Sequence, residues 1–154
     1  MFFTLEKLER NTKQLKDLRY RERMEIPSFD ASTPEEEPVG KRPESVVYTG
    51  TLKKGDFWIG RGTYLWIRQS VEIPAEWVGK KIAGLFNMGK TGEGLNSGFE
   101  GLIYVNGSPY CETGSYHEEV IFPSELAGTK VELTIRLWAG LEGGGVPTQQ
   151  THQF

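Results

Sequence analysis

Only two histidines, His117 and His152, occur in the 154 residues. "SYHEE", residues 115–119, sets Tyr116, His117, Glu118 and Glu119 side by side. An imidazole next to carboxylates can serve as a base or a metal ligand. The competing reading is a surface histidine that bonds its own loop. The spacing favours that one, because no H-x-x-x-H or H-x-D pattern near either histidine supplies the other ligands of a zinc ion. "GLFNMGKT", residues 84–91, has the letters of a phosphate loop, G-x-x-x-x-G-K-[ST]. A working phosphate loop closes a strand and opens a helix whose N-terminus receives the phosphates. The "GEGLNSG" that follows cannot start a stable helix, so the segment reads as a strand running into a loop. Ser97 and Ser115 lack the G-x-S-x-G turn of a nucleophile elbow. The chain has 21 Asp and Glu residues, and two carboxylates suffice for glycoside hydrolysis. Here they crowd into a helix, a connector and turns, and no spacing fixes a pair. No catalytic residue and no metal ligand is assigned.

Aromatic and guanidinium side chains offer a different chemistry. Trp66 and Arg68 share one face of "YLWIRQSVEI", and Arg136 and Trp138 share one face of "VELTIRLW". Trp58, Arg61 and Tyr64 lie just upstream or at the start of the first of these strands. Such residues stack on sugar rings and bond hydroxyls, which makes Trp58, Arg61, Tyr64, Trp66, Arg68 and Trp138 the candidate carbohydrate-binding set. They suit packing beneath another element equally well. The sequence favours packing, since the pairs sit on strand faces and not on loop tips.

The elements that must carry these residues fall into three stretches. Residues 1–24 form a helix: Thr4 is a candidate cap, Glu6 sits in the first turn, and Phe3 and Leu8 fit a hydrophobic staple. Leu5, Leu8, Leu15 and Leu18 make a narrow apolar stripe expected to reach back over the Trp/Arg faces. Residues 25–45 contain Pro27, Pro34, Pro38 and Pro43 and an acidic run, and read as an extended, solvated connector. Residues 46–154 are β: Leu65, Ile67, Val71 and Ile73 alternate with polar neighbours, as do Val131, Leu133, Ile135 and Leu137. "KIAGLFNM", "GLIYV" and "EEVIFP" are more continuously apolar, as inner strands are. Turn signals without intervening helices predict an antiparallel β-sandwich of jelly-roll type, mainly β with one N-terminal α-helix. Asn106-Gly107 inside "EGLIYVNGSPYCE" predicts a type I′ hairpin. No internal repeat is apparent.

Composition narrows the class. A net charge of −3 gives no reason to expect nucleic acid or an anionic membrane as partner. Cys111 is the single cysteine, which excludes an internal disulfide and fits a reducing compartment. "MFFTLEKLER" lacks the basic start and apolar run of a signal peptide, and no stretch approaches the roughly 18 apolar residues of a spanning helix. A soluble, cytoplasmic protein is expected.

The order of several segments adds a resemblance. "MFFTLEKLE", "LRYRERMEIPSF", "DFWIGRGTYLWIRQSVEIPAEWVGKKIAGLFNMG", "EGLIYVNGSPYCETGSYHEEVIFP" and "VELTIRLWAGLEGGG" follow one another as in the N-terminal region of bacterial α-mannosidases of glycoside hydrolase family thirty-eight, which nearly the whole chain resembles. The resemblance implies a galactose-binding-like jelly roll in front of a catalytic domain. That domain would use a carboxylate nucleophile and a divalent metal, usually zinc, held by His and Asp beyond Phe154. No catalytic residue of the family maps onto this chain and no cofactor is expected within it. The expected role is a non-catalytic accessory domain that packs against the catalytic domain of its parent chain. The alternative is a carbohydrate-binding module that takes a glycan. A second copy of the chain is a further partner to test, and nucleic acid and membrane are not expected.

Overall fold

A computed structural model describes residues 4–37, 43–89, 99–114, 116–140 and 150–153. Among these residues it shows one α-helix, α1 (Thr4–Leu18), followed by ten strands: β1 (Ser28–Ser32), β2 (Tyr48–Lys53), β3 (Phe57–Gly60), β4 (Tyr64–Glu72), β5 (Ile82–Leu85), β6 (Glu100–Val105), β7 (Ser108–Gly114), β8 (Glu119–Phe122), β9 (Lys130–Trp138) and β10 (Gln150–Gln153). Six strands form one sheet in the order β2-β1-β4-β9-β6-β7, and the pairs β10-β3 and β5-β8 form two smaller antiparallel sheets. The fold is the mainly β antiparallel sandwich with one N-terminal helix that the alternation predicts.

The long ladder between β4 and β9 organises the large sheet. It runs in unbroken register from Tyr64↔Trp138 to Glu72↔Lys130. A single row, Ala31, Ile67, Ile135, Ile103 and Cys111, crosses five strands. Ile67, Ile135 and Ile103 are fully buried on it. The core also takes Trp58 from β3, Ile82 from β5, Val120 and Phe122 from β8, and Phe86, Met88 and Phe99 from the flanking segments. The β6 strand is internal, as its apolar run suggested. Among the described residues the β5-β8 pair is not covered on both faces: Leu85 and Ile121 are exposed.

Two expectations about the N-terminal third are corrected. The connector is not simply solvated, because Ser28–Ser32 is a strand inserted between β2 and β4. Its direct pairing with β4 covers only Asp30↔Arg68 and Ala31↔Ile67. Side chains extend the match at both ends: Ser32 Oγ accepts from the Trp66 N–H at 3.0 Å, and the Gln69 amide donates to the Ser28 carbonyl at 2.8 Å. Phe29 enters the core with its partner Leu52, and Ala31 enters it opposite Gly50. The second correction concerns α1. Leu5, Leu8, Leu15 and Leu18 are 57–74 % exposed, so the stripe does not lie on the Trp/Arg faces. Residues 35–37 already occupy that ground, and they bring polar groups that leucine cannot supply. Glu6 and Lys16 do stand in the first and last turns of α1; Phe3 lies outside the described residues.

The Asn106-Gly107 hairpin forms as expected, with φ of 49° and 79° at the two positions and Val105 opposite Ser108. Asn106 also ties the turn to the neighbouring strand. Its N–H donates to the Glu132 carbonyl, and its Oδ1 accepts from the Glu132 N–H, both at 2.9 Å. A Cβ on Gly107 would meet nothing within 4 Å, so any penalty there is purely conformational. Gly107→Val should cost about 1 kcal/mol or more in a thermal melt, and Gly107→Asn clearly less, because asparagine tolerates left-handed backbone.

The expectation of no internal repeat is corrected at one short motif. Ile73–Gly79 (IPAEWVG) and Phe122–Gly128 (FPSELAG) each read apolar-Pro-small-Glu-apolar-apolar-Gly. Each forms a 3-10 turn after an extended proline and ends on a left-handed glycine, Gly79 at φ 76° and Gly128 at φ 74°. The two turns meet, with Gly128 N–H donating to the Ile73 carbonyl at 2.8 Å and Ile73 N–H to the Thr129 carbonyl at 3.0 Å.

Candidate functional site

The two Trp/Arg pairs lie on the outer face of the large sheet, opposite the core. On β4 and β9, Trp66 stands directly across from Arg136, and Tyr64 from Trp138. The next strand adds Glu100 beside Trp138 and Leu102 beside Arg136, and β7 adds Glu112 beside Leu102. Tyr64, Arg136, Trp138, Glu100, Leu102 and Glu112 line a shallow depression of about 440 Å³.

A segment of the connector closes one side of this face. Glu35 and Tyr64 exchange backbone hydrogen bonds of 2.9 and 2.7 Å. Two residues on, the Glu37 carboxylate turns toward the sheet. Its Oε1 accepts from the Trp66 indole N–H at 2.6 Å, and its Oε2 pairs with the Arg136 guanidinium. The side chains of Arg136 and Glu37 are only 13 % and 10 % exposed. The guanidinium lies 4.0 Å from the Tyr64 ring centre and 5.7 Å from that of Trp66, which itself packs at 5.7 Å on Tyr104. Cation–π contacts of this kind are strengthened by removal from water.

The candidate carbohydrate set is therefore dispersed. Trp58 is 4 % exposed in the core and donates its indole N–H to the Met88 carbonyl at 2.9 Å. Trp66 is 2 % exposed. Neither offers a ring face to a ligand. Arg68 is 3.3 Å from Asp30 and lies 4.1 Å from the centre of the Tyr48 ring, so β1 and β2 claim it. Arg61 is partly exposed, away from the depression's lining. Only Tyr64 and Trp138 remain half-exposed on a shared concave surface. Sequence reading missed Glu37, Glu100 and Glu112. A signal for Glu37 did exist: in an extended chain alternate residues share a face, so Glu35 and Glu37 of "TPEEEP" can address one sheet together.

The His117 loop is a structural turn. The Thr113 hydroxyl donates to the His117 carbonyl at 2.9 Å, the Gly114 N–H donates to the same oxygen at 3.3 Å, and the His117 N–H donates to the Gly114 carbonyl at 2.8 Å. The neighbouring Glu119 carboxylate accepts from the Tyr20 hydroxyl and pairs with Arg19 at 2.6 Å. The Tyr20 hydrogen bond first, and then the Arg19 charge, hold it below the usual carboxylate range, the wrong direction for a general acid. The same hydrogen bond raises the Tyr20 hydroxyl. Cys111 is a free thiol raised by burial and then by the Glu112 charge, which keeps it protonated and weakly nucleophilic. In the phosphate-loop lookalike, β5 ends at Leu85 and Phe86 and Met88 enter the core. Lys90 and Thr91 lie outside the described residues, as do Ser97 and Ser115. Among the described residues no group of His, Cys, Asp and Glu is placed to hold a metal ion, and no helix is long and apolar enough to cross a membrane.

Comparison of the chain with protein-family models and with curated proteins yields no match.

Proposed function

We propose that this chain is the non-catalytic N-terminal accessory domain of a cytoplasmic α-mannosidase and serves interdomain packing and assembly. The ordered segments "GRGTYLWIR", "EIPAEW", "EGLIYVNGSPY" and "YHEEV" support the parentage, and the sandwich fold agrees with the jelly roll that parentage implies. The observation that carries the packing role is the Glu37–Trp66–Arg136 cluster, in which the side chains best suited to reading a sugar are spent on holding the chain to itself. The apolar surface that could meet a neighbouring domain lies elsewhere: the α1 leucines, Val78, Leu85 and Ile121 are all exposed. In this reading the divalent metal, zinc in the family, belongs to the catalytic domain of the parent.

The purified chain is expected to hydrolyse no aryl α-mannoside, with or without added zinc. Turnover that survives purification and is lost in His117→Ala would overturn the reading. Co-expression with the sequence encoded after Phe154 tests the packing role directly: the two parts should co-purify, and separate elution would contradict it.

The depression gives a specific basis for the second reading, a carbohydrate-binding module. Tyr64 and Trp138 offer ring surface, and the Glu100 and Glu112 carboxylates can accept hydroxyl hydrogens. Titration with mannose and α-linked mannobiose, followed by tryptophan fluorescence, separates the readings. A saturable change abolished by Trp138→Ala would favour the module.

A further inference from the structure

We propose that Arg136, the Trp66 indole N–H and the Tyr64 ring form a carboxylate-binding pocket, which the chain fills with its own Glu37 and which accepts a free monocarboxylate when that side chain is absent. The inference stands on the geometry of this cluster and does not depend on the accessory-domain reading.

The receptor half is fixed by the sheet. Trp66 and Arg136 are directly paired residues of the nine-residue β4-β9 ladder. The guanidinium is held against Tyr64, and the indole against Tyr104. Their donors converge on the two oxygens of one carboxylate, Oε1 from the indole and Oε2 from the guanidinium. The ligand half has a different origin. Glu37 belongs to no strand and hangs from the Glu35–Tyr64 backbone pair two residues earlier. It is a tethered ligand meeting donors that the sheet has already positioned.

That arrangement selects for chemistry. Two donors of different kinds, spaced for the two oxygens of a planar acid, favour a carboxylate over a spherical halide of equal charge. The low exposure of both charged groups strengthens the pair relative to one in water. Arg136 also lines the open depression, so its pocket has a mouth toward solvent. Glu100 and Glu112 flank that mouth and repel multiply charged acids, which leaves a small monocarboxylate as the class admitted.

The test is Glu37→Ala melted in sodium acetate and in sodium chloride at matched pH and ionic strength. In chloride the variant should melt below the wild type. In about 0.2 M acetate its Tm should rise by several degrees more than in chloride, because a ligand that binds only the folded state stabilises it by mass action. Wild type, with the pocket filled, should show no such acetate-specific rise. Acetate should also change the tryptophan fluorescence of Glu37→Ala saturably, and adding Arg136→Met should remove the response. If Glu37→Ala does not fold in chloride, its refolding yield in the two salts reads the same contrast. Equal behaviour of Glu37→Ala in both salts, an equal acetate effect on the wild type, or no folded variant in either salt would overturn the proposal.

Discussion

A chain truncated to begin at Val46, where the sequence places the start of the β-domain, should fail to melt as a cooperative, soluble monomer. One truncated to begin at Arg19 should melt within a few degrees of the full chain. The asymmetry follows from what each cut removes. Starting at Val46 deletes β1, which stands between β2 and β4. The β2 strand then loses its hydrogen-bonded partner, and the edge of β4 is opened to pairing with other chains. Phe29 leaves the core, at about 1.5–3 kcal/mol for a buried side chain of that size, and Leu52 loses the residue opposite it. Glu37 leaves as well, and with it go the carboxylate that pairs with Arg136 and the connector segment that covers Trp66. Such losses consume much of the roughly 5–15 kcal/mol that holds a domain together. Starting at Arg19 removes only α1, whose four leucines are mostly exposed, and keeps the Arg19 and Tyr20 contacts with Glu119. A 15-residue helix with so little tertiary cover is marginal in water, and deleting its apolar stripe should also lower any self-association seen by sedimentation. Cooperative melting of the Val46 chain near the full-length Tm would show that β1 is dispensable.

The same segment shows what the sequence made legible. The β4-β9 ladder could be read in advance because two strands carry strict alternation, and one face of each had to be core: Leu65, Ile67 and Val71 meet Leu137, Ile135 and Val131 in register. The Asn106-Gly107 turn was equally local, since its conformation is set by two residue types. β1 was hidden because "SFDAS" holds only two residues that bury, Phe29 and Ala31, inside a proline-rich, acidic stretch. What makes it a strand is partners far along the chain. One of those partners did leave a trace. Gln69 sits at a core-facing position of the β4 alternation, opposite Leu133, where a polar side chain needs a bond, and it finds the Ser28 carbonyl. Half of the candidate site was visible as Trp66 and Arg136 on outward-facing strand positions. The other half, Glu37, could be recognised only once the connector was known to cross that face.

Trp66→Ala should be among the most destabilising substitutions on the outer face, costing about 3–5 kcal/mol, the usual range for deleting a buried aromatic. The indole is 2 % exposed although it points away from the sandwich core, so its burial comes from Arg136, Tyr104 and the connector. Removing it leaves Oε1 of Glu37 without the indole donor and takes one wall from the guanidinium. For a domain of this length the loss corresponds to roughly 6–20 °C in Tm. Trp138→Ala, on the half-exposed rim, should cost much less, about 1–2 kcal/mol. The pair of variants therefore sorts structure from recognition. If the face exists for packing, stability falls steeply at Trp66 and mildly at Trp138, and neither the parent chain nor the variants respond to mannosides. If it exists for sugar, the accessible ring governs binding, and Trp138→Ala loses a mannoside response while keeping its Tm. A Trp66→Ala protein that melts like the wild type and loses measurable mannoside binding would defeat the packing role and make this face a carbohydrate site.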